Sequence, residues 1–506
     1  MNFTVKASYT ALITLLSTLS SLLSDSNPRL SRVLGVLGLL GVPLIYVVTK
    51  LLVLPDYQLV LLLLAGFTTA MTSLHSTGYY KYMYGATKQT KLVLNAVCAL
   101  LVLLFSSTTM LELLVYWLLL DIIVAFTAIT LERGFENLRV AATYLVTCVA
   151  PSDIALLTLW SIIAVNKGLY ESLLFDITST GAQLDIGLAL SLILLLGFSA
   201  KMGQFPLHSW PPVVYGESPP HVSAILSSVV SKIGLLGYLL ASRLFSIHPV
   251  ALYVLLAQGV VSTAYGAFAA ALQTDVRRLL AYSSISYYGV ITVFYAISSL
   301  LGLREAFYLA LLVAIYHGVL KAQAFTNSSV VYQVANTYDI YRLGYILYIS
   351  KLSALSGFLI LANLVGMPPT VGFFVKVSTL TLALSILAEN LALIPVLVVL
   401  IIHAVFAVMY SAKFLSIYTS TLPRALPVKY VEIPRDQVIS ELTLGFSSIA
   451  LSVLILWLLG YPPEFRFILA LLYSVTVVLM VAVFTKYYRA LFIPEESKFW
   501  LTGVES

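Results

Sequence analysis

The sequence predicts an all-α integral membrane protein with about 14–15 transmembrane helices. Hydrophobic residues make up 60% of the 506 residues, and charged residues only 10%. A water-soluble domain of this size cannot bury so much apolar surface, so the solvent must be lipid. Apolar stretches of about 20 residues, enough to cross a bilayer as a helix, recur along the chain with short loops between them. These stretches are continuously apolar rather than alternating, which predicts helices and not the strands of a barrel.

About fifteen stretches are predicted to span the membrane. In chain order they are residues 9–25, 33–53, 57–75, 91–106, 108–131, 140–165, 186–215, 220–245, 249–273, 279–300, 306–331, 352–388, 391–419, 440–460 and 464–487. The first is interpreted as a span and not as a cleaved signal sequence, because no small-residue cleavage site precedes Asp25. The longest polar stretch, about residues 420–439, is predicted to be a loop.

Two predicted spans, residues 186–215 and 352–388, would each exceed about 40 Å if straight. Their prolines are Pro206, Pro211 and Pro212 in the first span, and Pro368 and Pro369 in the second. Proline interrupts a helix, and a membrane tolerates this where the freed carbonyl groups line a cavity or meet water. Both spans share a Gly-Phe-x-x-Lys string, which ends at Lys201 and at Lys376. Paired broken helices point to the ion pathway of a transporter built from repeats of about five helices.

The basic residues alternate by loop and predict the orientation of the chain. Those that follow odd-numbered spans are Arg29, Arg32, Lys81, Lys88, Lys91, Arg133, Arg139, Arg277, Arg278, Lys413, Arg424, Lys429 and Arg435. Loops after even-numbered spans mostly carry one basic residue or none, and the loop after the seventh span departs from the pattern because it carries Glu217. By the positive-inside rule, we expect a multi-pass protein of the cell membrane with its N-terminus outside.

Six ionisable residues fall near the centres of predicted spans. They are Asp121, Lys201, Lys232, His317, Lys321 and Lys376. A charge at the centre of a membrane helix costs about 2.5–3.5 kcal/mol on insertion scales. Together the six would cost more than about 10 kcal/mol, comparable with the net stability of a whole domain. We therefore expect them to face partners or internal water.

The residue types suit a proton relay. Burial disfavours the charged form of lysine and a nearby carboxylate favours it, so a lysine facing a movable counter-charge can take up and release protons. His317 and Lys321 are four residues apart on one helix face, so a proton could pass between them directly or through one water. Asp121 is the single carboxylate predicted at a span centre, and its counter-ion is either Lys201 or Lys232.

Each residue also has a structural interpretation. Lys321 and Lys376 could extend to a nearer membrane interface. His317 could be a packing histidine, and Asp121 with a lysine could be a structural ion pair. The set as a whole favours the relay, because six independent accidents at span centres are improbable.

No cofactor or metal is predicted on this chain. Cys98 and Cys148 are isolated within spans and lack the paired spacing that holds zinc or an iron–sulfur cluster. There is no glycine-rich phosphate loop, so the driving energy must come from an ion gradient or a partner. Redox chemistry is not expected on this chain, and the formal net charge of +6 does not predict a nucleic-acid partner, because the charges sit in alternating loops.

Four motifs follow one another along the chain. They are Leu74-His75-Ser76-Thr77-Gly78-Tyr79 after Pro55-Asp56; Lys201-Met202-Gly203-Gln204-Phe205-Pro206-Leu207-His208-Ser209-Trp210 with Pro220-His221-Val222-Ser223-Ala224; Asp275-Val276-Arg277-Arg278-Leu279-Leu280-Ala281-Tyr282-Ser283-Ser284-Ile285-Ser286; and Gly366-Met367-Pro368-Pro369-Thr370-Val371-Gly372-Phe373-Phe374-Val375-Lys376. In this order they resemble the motifs of the antiporter-like membrane subunits shared by respiratory complex I, membrane-bound hydrogenases and Mrp-type cation/proton antiporters.

The resemblance implies two inverted five-helix repeats, at residues 107–248 and 249–419. They would lie between N-terminal helices (1–106) and a C-terminal region (420–506) of a loop, helices and a short tail. It also implies an order for the relay, which is Asp121 with Lys201, then Lys232, then His317 and Lys321, then Lys376 at the exit. The sequence departs from the family pattern where Asp121 replaces a glutamate, where Tyr287 replaces a frequent histidine, and where Ser227 and Ser228 stand in place of one.

The leading hypothesis is a proton-translocating subunit of a complex I-like or membrane-bound hydrogenase-type complex. The expected partners are other membrane subunits, peripheral redox subunits reached through the complex, and the bilayer, and the expected cargo is protons with sodium as the alternative. A second hypothesis is a subunit of an Mrp-type sodium/proton antiporter, although a sodium site needs several oxygen ligands. A third is a non-transporting structural subunit, and a fourth is a solitary transporter of an organic solute.

Overall fold

The computed structural model describes residues 3–458, except 86, 133, 180–182, 345 and 420–431. The predicted span at 464–487 lies outside the described residues. The described chain is helical, with one small parallel pairing between strands β1 (Leu184–Asp185) and β2 (Phe245–Ser246). The predicted all-α membrane fold is confirmed.

The principal helices follow the predicted spans closely. The first eight are α1 (Phe3–Leu22), α2 (Pro28–Val48), α3 (Asp56–Tyr84), α4 (Lys88–Phe105), α5 (Met110–Ala128), α6 (Leu138–Lys167), α7 (Leu188–Lys201) and α8 (Trp210–Glu217). The next eight are α9 (Pro220–Leu244), α10 (Pro249–Leu272), α11 (Val276–Leu301), α12 (Arg304–Ala335), α13 (Lys351–Val365), α14 (Val371–Glu389), α15 (Leu391–Thr419) and α16 (Arg435–Leu458). Within the described residues, ten helices are long and apolar enough to cross a membrane.

Both predicted helix breaks are present. The first interruption separates α7 from α8, and the second separates α13 from α14. Each contains a glycine with a left-handed backbone, Gly203 with φ 65° and Gly366 with φ 79°, a conformation that costs glycine little. Pro211 and Pro212 lie in the first turn of α8, where no backbone donor is lost to the helix.

Four helices contain a widened π-helical turn. These turns are Leu37–Gly41 in α2, Val124–Ala128 in α5, Leu145–Val149 in α6 and Leu226–Val230 in α9. Such turns are rare and frequently occur at functional sites. Three of the four lie within a few residues of Asp121, Tyr144 and Lys232. No sequence pattern predicted these turns.

The most enclosed helices are α9 and α12. The most apolar 18-residue window of α9 is 100% buried, and that of α12 is 89% buried, compared with 28% for α15. Helix α15 instead presents Ile401, Val405 and Met409 at its surface, each about half exposed. An exposed apolar face suits a helix in contact with lipid, and α9 and α12 form the interior.

One residue counted with the basic loops lies elsewhere. Lys91 is in the first turn of α4 and is buried, and its Nζ donates to Ser31 Oγ at 2.9 Å and to Thr77 Oγ1 at 2.8 Å. The sequence analysis counted Lys91 with the basic loop residues and also placed it as the first residue of the predicted span 91–106, and the structure agrees with the second placement. Two neighbouring helices hold its ammonium group, because Ser31 belongs to α2 and Thr77 to α3.

Candidate functional site

The six ionisable residues selected from the sequence lie on helices α5, α7, α9, α12 and α14. Asp121, Lys201, Lys232, His317 and Lys321 are all buried, with at most 1% of their surface exposed. Lys376 is half-buried. Their burial inside the helix bundle, away from the lipid-facing surface, agrees with the expectation that each faces internal partners.

Asp121 and Lys201 form a buried ion pair between α5 and α7. The Tyr144 hydroxyl on α6 also donates to Asp121 Oδ1, at 3.0 Å. The Lys201 ammonium lies 5.5 Å from the ring centre of Trp117 and 5.7 Å from that of Tyr144. Lys201 is the last residue of α7, so the helix break leaves its side chain at the centre of this cluster. Of the two counter-ions that the sequence left open for Asp121, the structure pairs it with Lys201.

A second carboxylate, Asp153 on α6, adjoins this ion pair. It accepts a hydrogen bond from Trp117 Nε1 at 3.1 Å and interacts electrostatically with both Asp121 and Lys201. Two carboxylates therefore lie beside one ammonium group. The sequence analysis missed Asp153, although it stands inside the predicted span 140–165, two residues after Pro151.

Lys232 and His317 form the second direct contact. Lys232 Nζ lies 2.6 Å from His317 Nδ1 and also donates to the Ser227 carbonyl oxygen at 2.7 Å. In the part of the chain that the structure describes, no carboxylate forms an ion pair with Lys232. Two basic groups at this distance share one proton favourably, since two positive charges would repel each other without compensation.

Lys321 forms no hydrogen bond with His317 in the described structure, although the two lie on the same face of α12. Its ammonium donates to the Leu280 carbonyl oxygen at 2.9 Å and to Ser283 Oγ at 2.5 Å, both on α11. The sequence predicted a transfer between His317 and Lys321, directly or through one water. The geometry makes Lys232 the direct neighbour of His317 and Ser283 the neighbour of Lys321.

Helix α11 presents a run of hydroxyl groups to its neighbours. The pairs are Ser283 with Lys321, Ser284 with Ser227 at 3.0 Å, Ser286 with His403 at 2.7 Å, Tyr287 with Tyr316 at 3.0 Å and Tyr288 with Tyr215 at 3.2 Å. These residues belong to, or directly follow, the Tyr-Ser-Ser-Ile-Ser motif. A hydroxyl both donates and accepts a hydrogen bond, so α11 offers such groups to Ser227 on α9, to Lys321 on α12 and to His403 on α15.

Lys376 lies at the second helix break, beside a cavity. Its ammonium donates to the carbonyl oxygens of Leu364, at 2.9 Å, and Val365, at 2.8 Å, at the end of α13. The adjoining opening is lined by Lys376, His403 and Tyr287 among others. These carbonyl groups are the ones that the break frees, as the proline pattern led us to expect.

His403 on α15 is another residue that the sequence analysis missed. It is 5% exposed, and its ring centre lies 4.6 Å from that of Tyr287, which in turn lies 5.6 Å from the ring of His317. The available signal was a lone histidine near the middle of the predicted span 391–419. Its position connects the Lys232 and His317 pair with the cavity at Lys376.

Among the described residues, no group of three or more His, Cys, Asp or Glu side chains is arranged to hold a metal ion. The two cysteines are buried and unpaired. The chemistry that this arrangement can perform is the binding and transfer of protons between basic, acidic and hydroxyl groups.

These broken helices and buried ionisable residues are typical of an antiporter-like membrane subunit. A family profile described as "NADH:quinone oxidoreductase/Mrp antiporter, TM" matches residues 107–402, which is more than half of the chain. The chain belongs to this family, and it is a multi-pass membrane protein.

Curated relatives and a solved structure agree with this assignment. NAD(P)H-quinone oxidoreductase chain 4 of Microcystis aeruginosa is 32% identical over 243 residues, 46% of this chain and 42% of that relative. NAD(P)H-quinone oxidoreductase chain 4-3 of Nostoc sp. is 30% identical over 299 residues, 56% of this chain and 49% of the relative. The matched region thus spans about half the length of the curated relatives.

The Mrp complex from Dietzia sp. contains a chain with the same fold. The TM-score is 0.70 at 16% identity, and the match covers 89% of this chain and 95% of that one. The quinone oxidoreductase chains and the Mrp chain are each subunits of multi-subunit complexes.

Proposed function

We propose that this chain translocates protons across the membrane along its buried ionisable residues, as a subunit of a complex I-like or membrane-bound hydrogenase-type complex. The contact between Lys232 and His317 carries the proposal most directly. An ammonium and an imidazole 2.6 Å apart, fully buried and without a carboxylate partner in the described chain, have a shared proton as their simplest stable arrangement.

The proposed order of transfer is the one that the family resemblance implies. A proton held by Lys201 is stabilised by Asp121, and its departure leaves a carboxylate that attracts the next proton. The Lys232 and His317 pair is the following station, and α11 places Tyr287 and Tyr288 against the His317 ring. The same helix places Ser283 beside Lys321 and Ser286 beside His403. Lys376 at the cavity forms the exit end of the line.

The names of the relatives support a redox-coupled assembly. They are chains of NAD(P)H-quinone oxidoreductases, so we infer that redox chemistry occurs on other subunits and that this chain receives energy through its membrane partners.

The basic residues near the ends of the odd-numbered spans support an orientation in the cell membrane with the N-terminus outside. We propose that the chain is divided into two antiporter-like repeats, at residues 107–248 and 249–419.

The alternative is sodium/proton exchange within an Mrp-type assembly, because the family contains both kinds of subunit. The lysine-rich line favours protons, since sodium prefers several oxygen ligands. A non-transporting structural role is the remaining alternative.

The test is ion translocation by the assembled complex in proteoliposomes, with wild type, Lys201→Ala and Lys376→Ala at matched assembly. A pH-sensitive dye reports protons and a sodium isotope reports sodium, with either a quinone-dependent reaction or a sodium gradient as the driving force. Lys88→Ala, at an exposed lysine, is the matched control. We expect both relay variants to lose proton translocation while the control retains it. Unchanged translocation in both relay variants would show that the lysines are structural.

A further inference from the structure

A second buried network of ionisable residues lies outside the relay. His75 Nδ1 on α3 lies 2.8 Å from His221 Nε2 on α9, and His75 Nε2 lies 3.2 Å from Glu441 Oε1 on α16. The second carboxylate oxygen of Glu441 accepts a hydrogen bond from Asn327 Nδ2 on α12, at 2.8 Å. Tyr418 on α15 donates to the amide oxygen of Asn327. The network therefore joins five helices.

The charge of this network is restricted by its burial. His75, His221 and Glu441 are each 0% exposed, and in the described residues the ionic partner of Glu441 is His75 and not a lysine or arginine. An isolated carboxylate in such a site is costly. The network therefore holds one proton in addition to those of two neutral imidazoles, either on Glu441 or on one of the histidines. The three groups thus form a hydrogen-bonded chain that holds one transferable proton.

The outer end of the chain points toward one membrane face. His221 Nδ1 has no hydrogen-bond partner among the described residues, and its ring lies 4.9 Å from Tyr79 and 5.5 Å from Tyr80. Tyr80 stacks on Tyr84 at 6.0 Å, and Tyr84 is 54% exposed at the end of α3. This end of α3 leads into the loop region that carries Lys81 and Lys88.

The inner end approaches the relay through α12. Asn327 lies six residues after Lys321 on this helix, which corresponds to about 9 Å along the axis. The network therefore extends from the tyrosines near the exposed end of α3 to the helix that carries Lys321. Water molecules would have to bridge the remaining gap between Glu441 and Lys321, because the amide of Asn327 cannot pass a proton on.

We propose that His221, His75 and Glu441 form a proton-loading branch that supplies the relay from the membrane face where α3 ends. A proton bound at His221 Nδ1 releases the Nε2 proton to His75 Nδ1, and His75 then releases its Nε2 proton to the Glu441 carboxylate. Each step breaks one N–H bond and forms one new N–H or O–H bond, so protons and charges balance. This inference rests on the proposed function, because the branch has a role only if the relay carries protons.

The test compares Glu441→Gln and His221→Gln with wild type in proteoliposomes that contain the assembled complex. Glutamine keeps the approximate shape of glutamate and can accept from Asn327, but it cannot take up a proton. His221→Gln changes the outer end of the network. It removes no hydrogen bond at Nδ1, because this atom has no partner among the described residues. We expect both variants to assemble and to slow proton translocation on the order of tenfold or more.

Two references accompany these variants. Ser440→Ala changes the residue beside Glu441, whose hydroxyl donates to the Met71 carbonyl oxygen at 2.7 Å, and it should retain the wild-type rate. Glu441→Asp keeps an ionisable carboxyl group and should recover part of the rate that Glu441→Gln loses. A purely structural network would instead show lower thermal stability in Glu441→Gln with a normal rate for each assembled complex.

Lys201→Ala in the same experiment separates the two proposals. If Lys201→Ala abolishes translocation while Glu441→Gln and His221→Gln match wild type, the branch is overturned and the relay stands. If all three variants match wild type, both proposals are overturned.

Discussion

At the scale of single residues, the ion pair between Asp121 and Lys201 determines what substitutions can reveal. Both side chains are buried, and no described lysine or arginine other than Lys201 forms an ion pair with Asp121. Removing one member of a buried pair leaves an uncompensated charge and typically costs about 3–5 kcal/mol, whereas removing both is often tolerated.

We therefore predict different effects on assembly and on transport. Lys201→Met alone should reduce the amount of assembled complex, and the double variant Asp121→Asn with Lys201→Met should restore it. Translocation should stay lost in the double variant, because neither residue can then hold a proton. Native gel electrophoresis measures assembly and proteoliposomes measure transport. Recovery of transport in the double variant would contradict a relay through this pair.

His403 supports a second prediction at this scale. Its ring and that of His317 both lie against Tyr287, so an imidazole at position 287 would stand between the two histidines. We expect His403→Gln to lower translocation about tenfold or more, and Tyr287→His in the same background to recover part of it. Proteoliposome translocation rates at equal assembly measure both effects. Tyr287→Phe in the His403→Gln background is the control, and an equal recovery there would rule out a relay function for the new histidine.

At the scale of helices, the breaks depend on glycines with left-handed backbones. Gly203 has φ 65°, and a Cβ atom there would lie 2.3 Å from Pro211 Cγ. We predict that Gly203→Ala destabilises the α7 and α8 break by on the order of 1–3 kcal/mol, because strain and overlap act together. Gly187→Ala is the matched control, since Gly187 directly precedes α7, lies in open space and has φ −68°. Thermal unfolding in detergent measures both, and equal midpoints would contradict the interpretation.

A loop residue outside the membrane gives a prediction about pH. Asp25 accepts hydrogen bonds from Thr87 Oγ1 at 2.7 Å, Thr87 N at 2.9 Å and Lys88 N at 3.2 Å, and so it caps α4 from a distant loop. The Thr87 side-chain hydrogen bond, aided by the two backbone amides, lowers the pKa of Asp25 below its ordinary value.

Because the folded state lowers this pKa, the carboxylate stabilises the fold above the unfolded pKa of about 4, and this contribution is lost as pH falls through the folded value. Asp25→Asn should therefore unfold at a lower temperature than wild type at pH 7, and the difference should shrink as the pH is lowered below about 4. Thermal unfolding at a series of pH values measures this. A difference that does not depend on pH would show that ionisation of Asp25 is unimportant.

At the scale of the whole molecule, lipid contact should determine where a charge is tolerated. Val405 is 55% exposed in the middle of α15, whereas Val165 is 87% exposed near the end of α6. A lysine at the middle of a membrane helix costs about 2.5–3.5 kcal/mol, and one near an end reaches the interface. We predict that Val405→Lys lowers membrane insertion and assembly while Val165→Lys does not. Quantification of the chain in membranes measures this, and equal yields would show that the face of α15 at Val405 is not in lipid.

The two helix breaks show how far sequence patterns reach. Prolines and excess length predicted both interruptions, because proline restricts its own backbone wherever it stands. The π-helical turns near Asp121, Tyr144 and Lys232 escaped prediction, since they depend on how each helix packs against its neighbours. Glu441 was passed over for a related reason, because it follows soon after the predicted polar loop and gave no sign that α3, α9 and α12 enclose it.

The sequence by itself determined that this chain crosses a membrane repeatedly, that two of its helices are broken, and which six central residues are candidates for ion transfer. These conclusions follow from the cost of placing charges and free backbone groups in lipid, a cost that each residue carries wherever its partners lie. Only the tertiary structure decided the pairing. Lys201 is 80 residues from Asp121, and His317 is 85 residues from Lys232. Contacts across such separations depend on helix packing. For the same reason, only the tertiary contacts identified Asp153 and His403 as members of the site.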